Sequence, residues 1–381
     1  MHSFCVRRGI RLRLLIALLA ILYVTPTRAA KFDWDPEHTW VFAVGLLQWQ
    51  HGDIWPSFPA AMKNRRDAQL VKHFRQAGVP EEQVVYLQDA QATKKKIEKA
   101  FKDLLGDTDE GDLLIFYFAG HGYRDVNTGE TWFANYDAGQ KDSSGWNVRS
   151  IFKTIESEFS GNRVLLLADC CHSGALYDEA LKRRSGEVAY AALTSSYSHN
   201  TSTGNWTFSD SLLAGLRGEP TVDANGDRLI ELHELALYTE LEMAFIEGQK
   251  SMFSAAQKFP RQAKLAATQG TALQRVGERV EAWSEGKWYK AKILATQASQ
   301  IKVHYIGWDA KWDEWLPNNY IRAYQPYQYA VGTKVMVMAD DEKWYPAVVQ
   351  QAWQGLHFIH YDDYDATWDE WVGPSAIRAR K

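Results

Sequence analysis

Two apolar runs in this 381-residue chain each lead straight into a short polar segment rich in glycine. Residues 113–118 run into Ala119-Gly120-His121-Gly122, and residues 164–168 into Asp169-Cys170-Cys171-His172-Ser173-Gly174. A cysteine becomes a strong nucleophile as its thiolate, and a nearby imidazole holds or accepts the proton. The same imidazole then protonates a leaving amine. His121 and the cysteine doublet therefore have the composition of an acyl-transfer site. Backbone N–H groups at Gly122 and Cys171 are candidate oxyanion donors, and losing one such donor typically costs about 2.7–4 kcal/mol of transition-state stabilisation. Glycine beside each reactive residue lets the backbone turn sharply and approach a substrate closely.

The elements around these segments alternate. Strands are expected at 40–44, 84–87, 113–118, 164–168 and 188–194, and helices at 60–76, 93–105, 148–159, 208–216 and 229–245. Strands alternating with helices imply a mostly parallel sheet covered on both faces. In such sheets, sites form beyond the carboxyl ends of the strands. If the strands are parallel, His121 and Cys171 emerge at the same sheet edge. The fold class expected is α/β for residues 31–247, with 248–275 as a linker or an extension that packs back.

The histidine-glycine after one strand and the Asp-Cys-Cys-His-Ser-Gly run after the next resemble the caspase and metacaspase family over residues 39–247. The histidine stands 50 positions before Cys171, in accord with the family spacing. The resemblance implies a caspase-like α/β/α sandwich and cysteine endopeptidase activity. It assigns the nucleophile to Cys171, the cysteine directly before His-Ser-Gly, and leaves Cys170 as a small apolar core residue and His172 as a structural one. It also implies a pocket in which Asp169 and Asp67, the latter in Arg66-Asp67-Ala68, select Arg or Lys before the scissile bond. Two carboxylates facing a guanidinium form charge-assisted bonds. Lys182-Arg183-Arg184 falls where caspases carry a cleavable inter-subunit loop, so self-cutting is a hypothesis for that run.

Residues 223–234 place Asp223, Asn225, Asp227 and Glu234 at EF-hand ligand spacing. Arg228 stands where glycine allows the sharp turn. Calcium is therefore a candidate cofactor. The alternative is an Asx-rich turn capping a helix from Leu229. No cofactor is required by the Cys-His chemistry.

Residues 276–325 and 331–380 repeat one another. His304-Tyr305 through Trp312-Asp313-Glu314-Trp315 matches His360-Tyr361 through Trp368-Asp369-Glu370-Trp371. Each copy alternates apolar and polar residues over short strands and reads as a small β-barrel. The phrase at 304–315 resembles the Tudor-knot or chromo-barrel group of SH3-like barrels. That resemblance implies aromatic cages for a methylated lysine, held by cation–π attraction. By position, the cages are Tyr289, Tyr305 and Trp308 in the first copy, with Trp283 as an extra wall, and Tyr345, Tyr361 and Tyr364 in the second. Trp315 and Trp371 are expected to fill the barrel cores.

Residues 1–30 read as a secretory signal: four arginines, a short apolar run, then Pro26 and small residues. The run is short for a membrane span, so export is expected, with an uncleaved anchor as the alternative and no membrane contact after removal. Cys5 leaves with the signal. Adjacent Cys170 and Cys171 are poorly placed to pair with each other. A net charge of -4 calls for no nucleic-acid partner. The function expected is an exported peptidase acting on protein or peptide, with barrels that bind a peptide ligand. An inactive caspase-like scaffold and a Cys-His transpeptidase are the other readings.

Overall fold

The computed structural model describes residues 34–125, 127–140, 144–198, 202–268, 276–324, 328–339, 341–353 and 355–380. The signal expected over 1–30 lies outside the described residues. Among those described, no helix is long and apolar enough to cross a membrane.

In chain order the first body contains β1 (Thr39–Gly45), α1 (Pro59–Met62), α2 (Arg66–Gln76), β2 (Val84–Gln88), α3 (Lys94–Gly106), β3 (Leu113–Ala119), β4 (Gly122–Arg124), β5 (Thr131–Phe133), β6 (Trp146–Asn147) and α4 (Val148–Glu158). It continues with β7 (Arg163–Asp169), α5 (Ala175–Lys182), β8 (Ala189–Thr194), α6 (Thr207–Leu216), β9 (Leu229–Glu231), α7 (Leu232–Glu242), β10 (Met252–Ala255) and β11 (Lys264–Ala267). Six strands form one sheet in the order β10-β8-β7-β3-β1-β2, parallel except for β10.

The strands are apolar on both faces because both are covered. Phe42, Phe116, Leu166 and Ala192 point to the layer of α3, α4 and α5, against Phe101, Ile151 and Phe152. Val41, Ile115, Leu167 and Leu193 point to the opposite layer, against Leu70, Phe74, Phe208 and Leu235 of α2, α6 and α7. This alternation has a consequence at the end of β7. Cys170 follows Ala168 into the first layer's core, whereas Asp169 follows Leu167 toward α6.

Three expectations change. The helix expected at 60–76 is two helices, because Arg65 is extended (φ −64°, ψ 112°) and its side chain is anchored between Asp67 and Asp89. The helix expected from Leu229 starts at Leu232, because residues 229–231 pair with β11. The antiparallel patch of β4, β5 and β6, which follows His121, was not expected. The segment after α7 packs back, adding β10 antiparallel to the β8 edge.

The C-terminal repeats each fold as a five-stranded antiparallel sheet. β12 (Arg279–Ser284), β13 (Lys287–Thr296), β14 (Gln300–Tyr305), β15 (Glu314–Pro317) and β16 (Ile321–Ala323) take the order β15-β14-β13-β12-β16. β17 (Lys334–Met338), β18 (Trp344–Trp353), β19 (Leu356–Tyr361), β20 (Glu370–Val372) and β21 (Ile377–Ala379) repeat that order. Their cores hold small aliphatics with Tyr305 or Tyr361, not the expected tryptophans. Strand alternation turns Leu316 and Val372 inward, so Trp315 is 36% exposed and Trp371 packs beside Phe245, Tyr324 and Leu356.

A buried charge cluster ties the first repeat to α7. Glu242 bonds Arg279 Nη2 (3.0 Å) and Lys292 Nζ (2.7 Å), and Glu242 and Arg279 are almost fully shielded from water. Removing the shared carboxylate takes the bridging anion from both cations. The Glu242→Ala protein should therefore lose about 3–5 kcal/mol. Urea unfolding checks this, and an unchanged midpoint would contradict it.

Candidate active site

β3 and β7 lie side by side in parallel, with Ala119 opposite Asp169, so both polar segments leave at one edge. Beyond that point they touch. A Cβ built on Gly122 would lie 1.9 Å from the Cys171 carbonyl oxygen and 3.3 Å from Cys170 Sγ. Only glycine permits this approach, which brings the histidine segment against the cysteine turn. His121 O accepts the Ala134 N–H (2.9 Å), and Gly122 is the next residue in the ladder, opposite Phe133. By antiparallel alternation the Gly122 N–H points away from β5, as an oxyanion donor must.

The turn after β7 is set by His-Ser-Gly. His172 adopts φ +57°, an uncommon value for a non-glycine residue, and its Nδ1 lies 3.1 Å from Ser198 O. Ser173 N donates to Ser196 Oγ (3.2 Å), and Ser173 Oγ accepts the Ser196 N–H (3.1 Å). At Gly174 a Cβ would lie 2.4 Å from Ser198 N. The motif thus clamps the nucleophile turn onto the loop after β8. Cys171 Sγ accepts the Ser202 N–H (3.1 Å) from the same loop.

His121 is half-buried among aromatic rings, with centroids 4.5 Å from Trp49 and 4.6 Å from Phe58. Its Nε2 lies 2.8 Å from Pro56 O. A carbonyl can only accept, so Nε2 carries the proton and Nδ1 is the basic nitrogen of the neutral ring. Burial lowers the His121 pKa, against the Pro56 bond. Burial also raises the Cys171 thiol, against the Ser202 N–H. Both effects favour a neutral imidazole and a protonated thiol at rest. Cys170 is buried and its thiol is raised further.

Cys171 opens into a groove of about 370 Å³ lined by Leu47, Phe58, Asp169, Thr203, Asn205 and Trp206. Asp169 is buried, and its Oδ2 accepts Ser209 Oγ at 2.6 Å. Burial raises its pKa to about 7; the Ser209 bonds oppose this, and the charges of Asp210 and Glu247 add to it.

Asp67, expected in the same pocket, is not among the residues that line the groove with Asp169. It is fully buried beneath Gly45, where a Cβ would lie 1.7 Å from Oδ2. Its carboxylate lies 2.6 Å from Arg65 Nη2 and accepts the Tyr86 hydroxyl (2.8 Å). Arg65 also pairs with Asp89 (2.7 Å). A cation of this chain therefore already occupies Asp67. The Lys182-Arg183-Arg184 run is likewise engaged. Lys182 ends α5 on Glu179, and Arg183 pairs with Glu179 and Glu156 over the Phe152 ring.

In the EF-hand-like loop the side chains bind their own backbone. Asp223 accepts from Gly226 N and Arg228 N, Asn225 from Asp227 N, and Asp227 from Leu229 N. Glu234 accepts from Ala224 N, Asn225 N and Glu231 N, completing a capping box on α7. Arg228 takes the left-handed turn itself, at φ +71°. These bonds make the segment a cap on α7. Among the described residues, no group of three His, Cys, Asp or Glu gathers to hold a metal.

The candidate cage residues do converge. Tyr289 stands 5.9 Å from Tyr305 and 6.1 Å from Trp308, all nearly perpendicular. Trp312, not the expected Trp283, adds a wall 6.1 Å from Trp308, while Trp283 packs on Trp288. In the second repeat Tyr345, Tyr361 and Tyr364 lie 6.0–6.3 Å apart, and Trp368 stands 5.6 Å from Tyr364. Trp368 also packs 5.2 Å from Tyr197, and Lys250 Nζ donates to Thr367 O (2.9 Å). The second repeat thus rests on the loop that holds the Cys171 turn.

The caspase domain family matches residues 59–287, more than half of the chain, and the chain belongs to it. Residues 275–323 and 329–379 match the Tudor-knot, described as the RNA binding activity-knot of a chromodomain. Metacaspase-4 of Arabidopsis thaliana is 33% identical over 118 residues, 29% of this chain and 28% of that protein. Metacaspase-7 of the same plant is 31% identical over 118 residues, 29% of each. The chain thus spans less than a third of the length of these relatives. A solved structure from Geobacter sulfurreducens aligns over 61% of this chain and 99% of its own, at 14% identity and a TM-score of 0.44, too loose a likeness to argue from. The function this family supports is of the cysteine peptidase type.

The resting site makes a chemical prediction. Alkylation of Cys171 by iodoacetamide should be slow near neutrality and should rise with a midpoint above that of an ordinary exposed thiol, while Cys170 stays unmodified in the folded protein. Peptide mass mapping across a pH series measures both. A rate already at its plateau below pH 7 would contradict the neutral-pair assignment.

Proposed function

We propose that this protein is an exported cysteine endopeptidase that cuts after Arg or Lys, with Cys171 as nucleophile and His121 as base. The observation that carries this reading is that the ends of β3 and β7 meet at one groove: Cys171 and the buried Asp169 line it, and the His121 imidazole, held at Nε2 by Pro56 O, packs 4.6 Å from Phe58 of its wall.

In this mechanism His121 Nδ1 takes the thiol proton as Sγ attacks the scissile carbonyl carbon. The oxyanion meets the N–H groups of Gly122 and Cys171. The imidazolium returns its proton to the leaving amine, the C–N bond breaks, and a thioester remains. Water, activated by the same imidazole, releases the acid and restores the thiol. Asp169 binds the basic side chain as a carboxylate. The aromatic boxes of the two Tudor-knot domains suit a cationic side chain of a bound peptide.

A substrate panel varied at the residue before the cut tests the specificity, run with and without calcium. Calcium would be held by Asp223, Asn225, Asp227 and Glu234. Arg and Lys substrates should be preferred. Their kcat/KM should fall as pH drops through about 7, where Asp169 protonates in the free enzyme. Preference for Asp would contradict the assignment; no turnover in any condition would favour a scaffold, and product formed only with added amines a transpeptidase. N-terminal sequencing of the mature chain separates a cleaved signal from a retained anchor.

The boxes yield a second test. A trimethyl-lysine peptide should quench the tryptophan fluorescence of the wild type. Trp312→Ala should weaken the first site at least about tenfold, a loss of the order of one desolvated cation–π contact. Equal binding by the unmethylated peptide would contradict a cage for methylated cations.

A further inference from the structure

The groove's acidity is not fully accounted for by Asp169. Asp67 and Asp89 are paired with Arg65, and Asp210 is paired with Arg66. Glu247 is different. It closes the turn after α7, where Gly248 takes the left-handed conformation at φ +63°. Its carboxylate accepts bonds from neutral donors, Asn205 Nδ2 at 3.1 and 3.3 Å and the Thr207 hydroxyl. Among the described residues no cation is paired with it. Asn205 itself lines the groove beside Asp169 and Cys171. Glu247 therefore stands one side chain behind the groove wall, and its charge is felt at Asp169. Two adjacent anions without a counter-ion destabilise one another until a cation arrives.

The rest of this segment is equally committed to the groove. Gln249 Oε1 accepts the Thr203 N–H (3.2 Å), and Gln249 Nε2 donates to Ser202 Oγ (3.3 Å). The chain after α7 thus holds the wall formed by residues 202–206.

We propose that Glu247 is a specificity-determining residue, the second negative charge that draws a basic substrate side chain to Asp169. It takes the part that Asp67, neutralised by Arg65, does not play. The inference rests on the reading that the enzyme cuts after Arg or Lys.

The test compares paired substrates that differ only in Arg or citrulline before the cut, its neutral near-isostere. In the Glu247→Gln protein the Arg-to-citrulline ratio of kcat/KM should fall about tenfold, the size expected for one weakly screened charge. The acid limb of the Arg profile should move to lower pH, because Asp169 loses a repelling neighbour. Glu247→Asp keeps the charge and should restore most of the ratio. A merely structural role would lower both substrates together and leave the limb in place, which would overturn the proposal. So would an unchanged ratio. If the wild type itself does not distinguish Arg from citrulline, the reading of basic specificity fails as well; if it does and the variant retains the ratio, only the role of Glu247 fails.

Discussion

The close contact between Gly122 and the Cys171 carbonyl is the constraint on which the site depends. Parallel pairing of β3 with β7 brings two segments to one edge, but pairing alone leaves their ends free to diverge. The missing side chain at Gly122 lets the histidine segment lie directly on the cysteine turn. His-Ser-Gly then fastens that turn from the other side, through Ser198 O, Ser196 and the close passage at Gly174. Reactive groups of ordinary type become a site because backbone sterics leave them one arrangement.

Electrostatics divides the work among neighbouring residues. The alternation of β7 sends Asp169 toward α6 and the groove and Cys170 into the core, although they are adjacent in sequence. Burial keeps Asp169 near its titration point, so a bound cation would favour its ionised form. Around the sulfur, burial acts the other way on the two partners, raising the thiol and lowering the imidazole. In the proposed mechanism the proton is passed as the sulfur attacks, and the Pro56 O bond to Nε2 leaves Nδ1 as the base.

Much of this was legible in the sequence. Long apolar runs with glycine-flanked ends marked β3 and β7, and the choice of Cys171 over Cys170 came from the family resemblance. The repeat was legible because similar strand patterns recur at an offset of 55 and then 56 residues. Other features had no local signal. Pro56 acts through a main-chain oxygen, which any residue type supplies. Arg65 captures Asp67 through a turn that interrupts helical periodicity, and Glu247 reaches Asn205 of the groove wall only because the chain after α7 returns beside it. Trp315 and Trp371 stand one position of strand alternation away from the core-facing residues, and one position reverses the face of a side chain. The residues at EF-hand spacing also form a capping box, because Glu234 is the N3 residue of α7.

The Tudor-knot domains are built against the peptidase body rather than trailing from it. Glu242 clasps the first, and Trp368 of the second leans on the Tyr197 loop that holds the nucleophile turn. The central claim, however, concerns the pair itself. Its most direct measurement is covalent labelling with a peptidyl chloromethyl ketone ending in Arg, read by peptide mass mapping. The account predicts one adduct, on Cys171, that is lost in the His121→Ala protein and is not formed by the matching reagent ending in Asp. An adduct on Cys170, or equal labelling without His121, would contradict it.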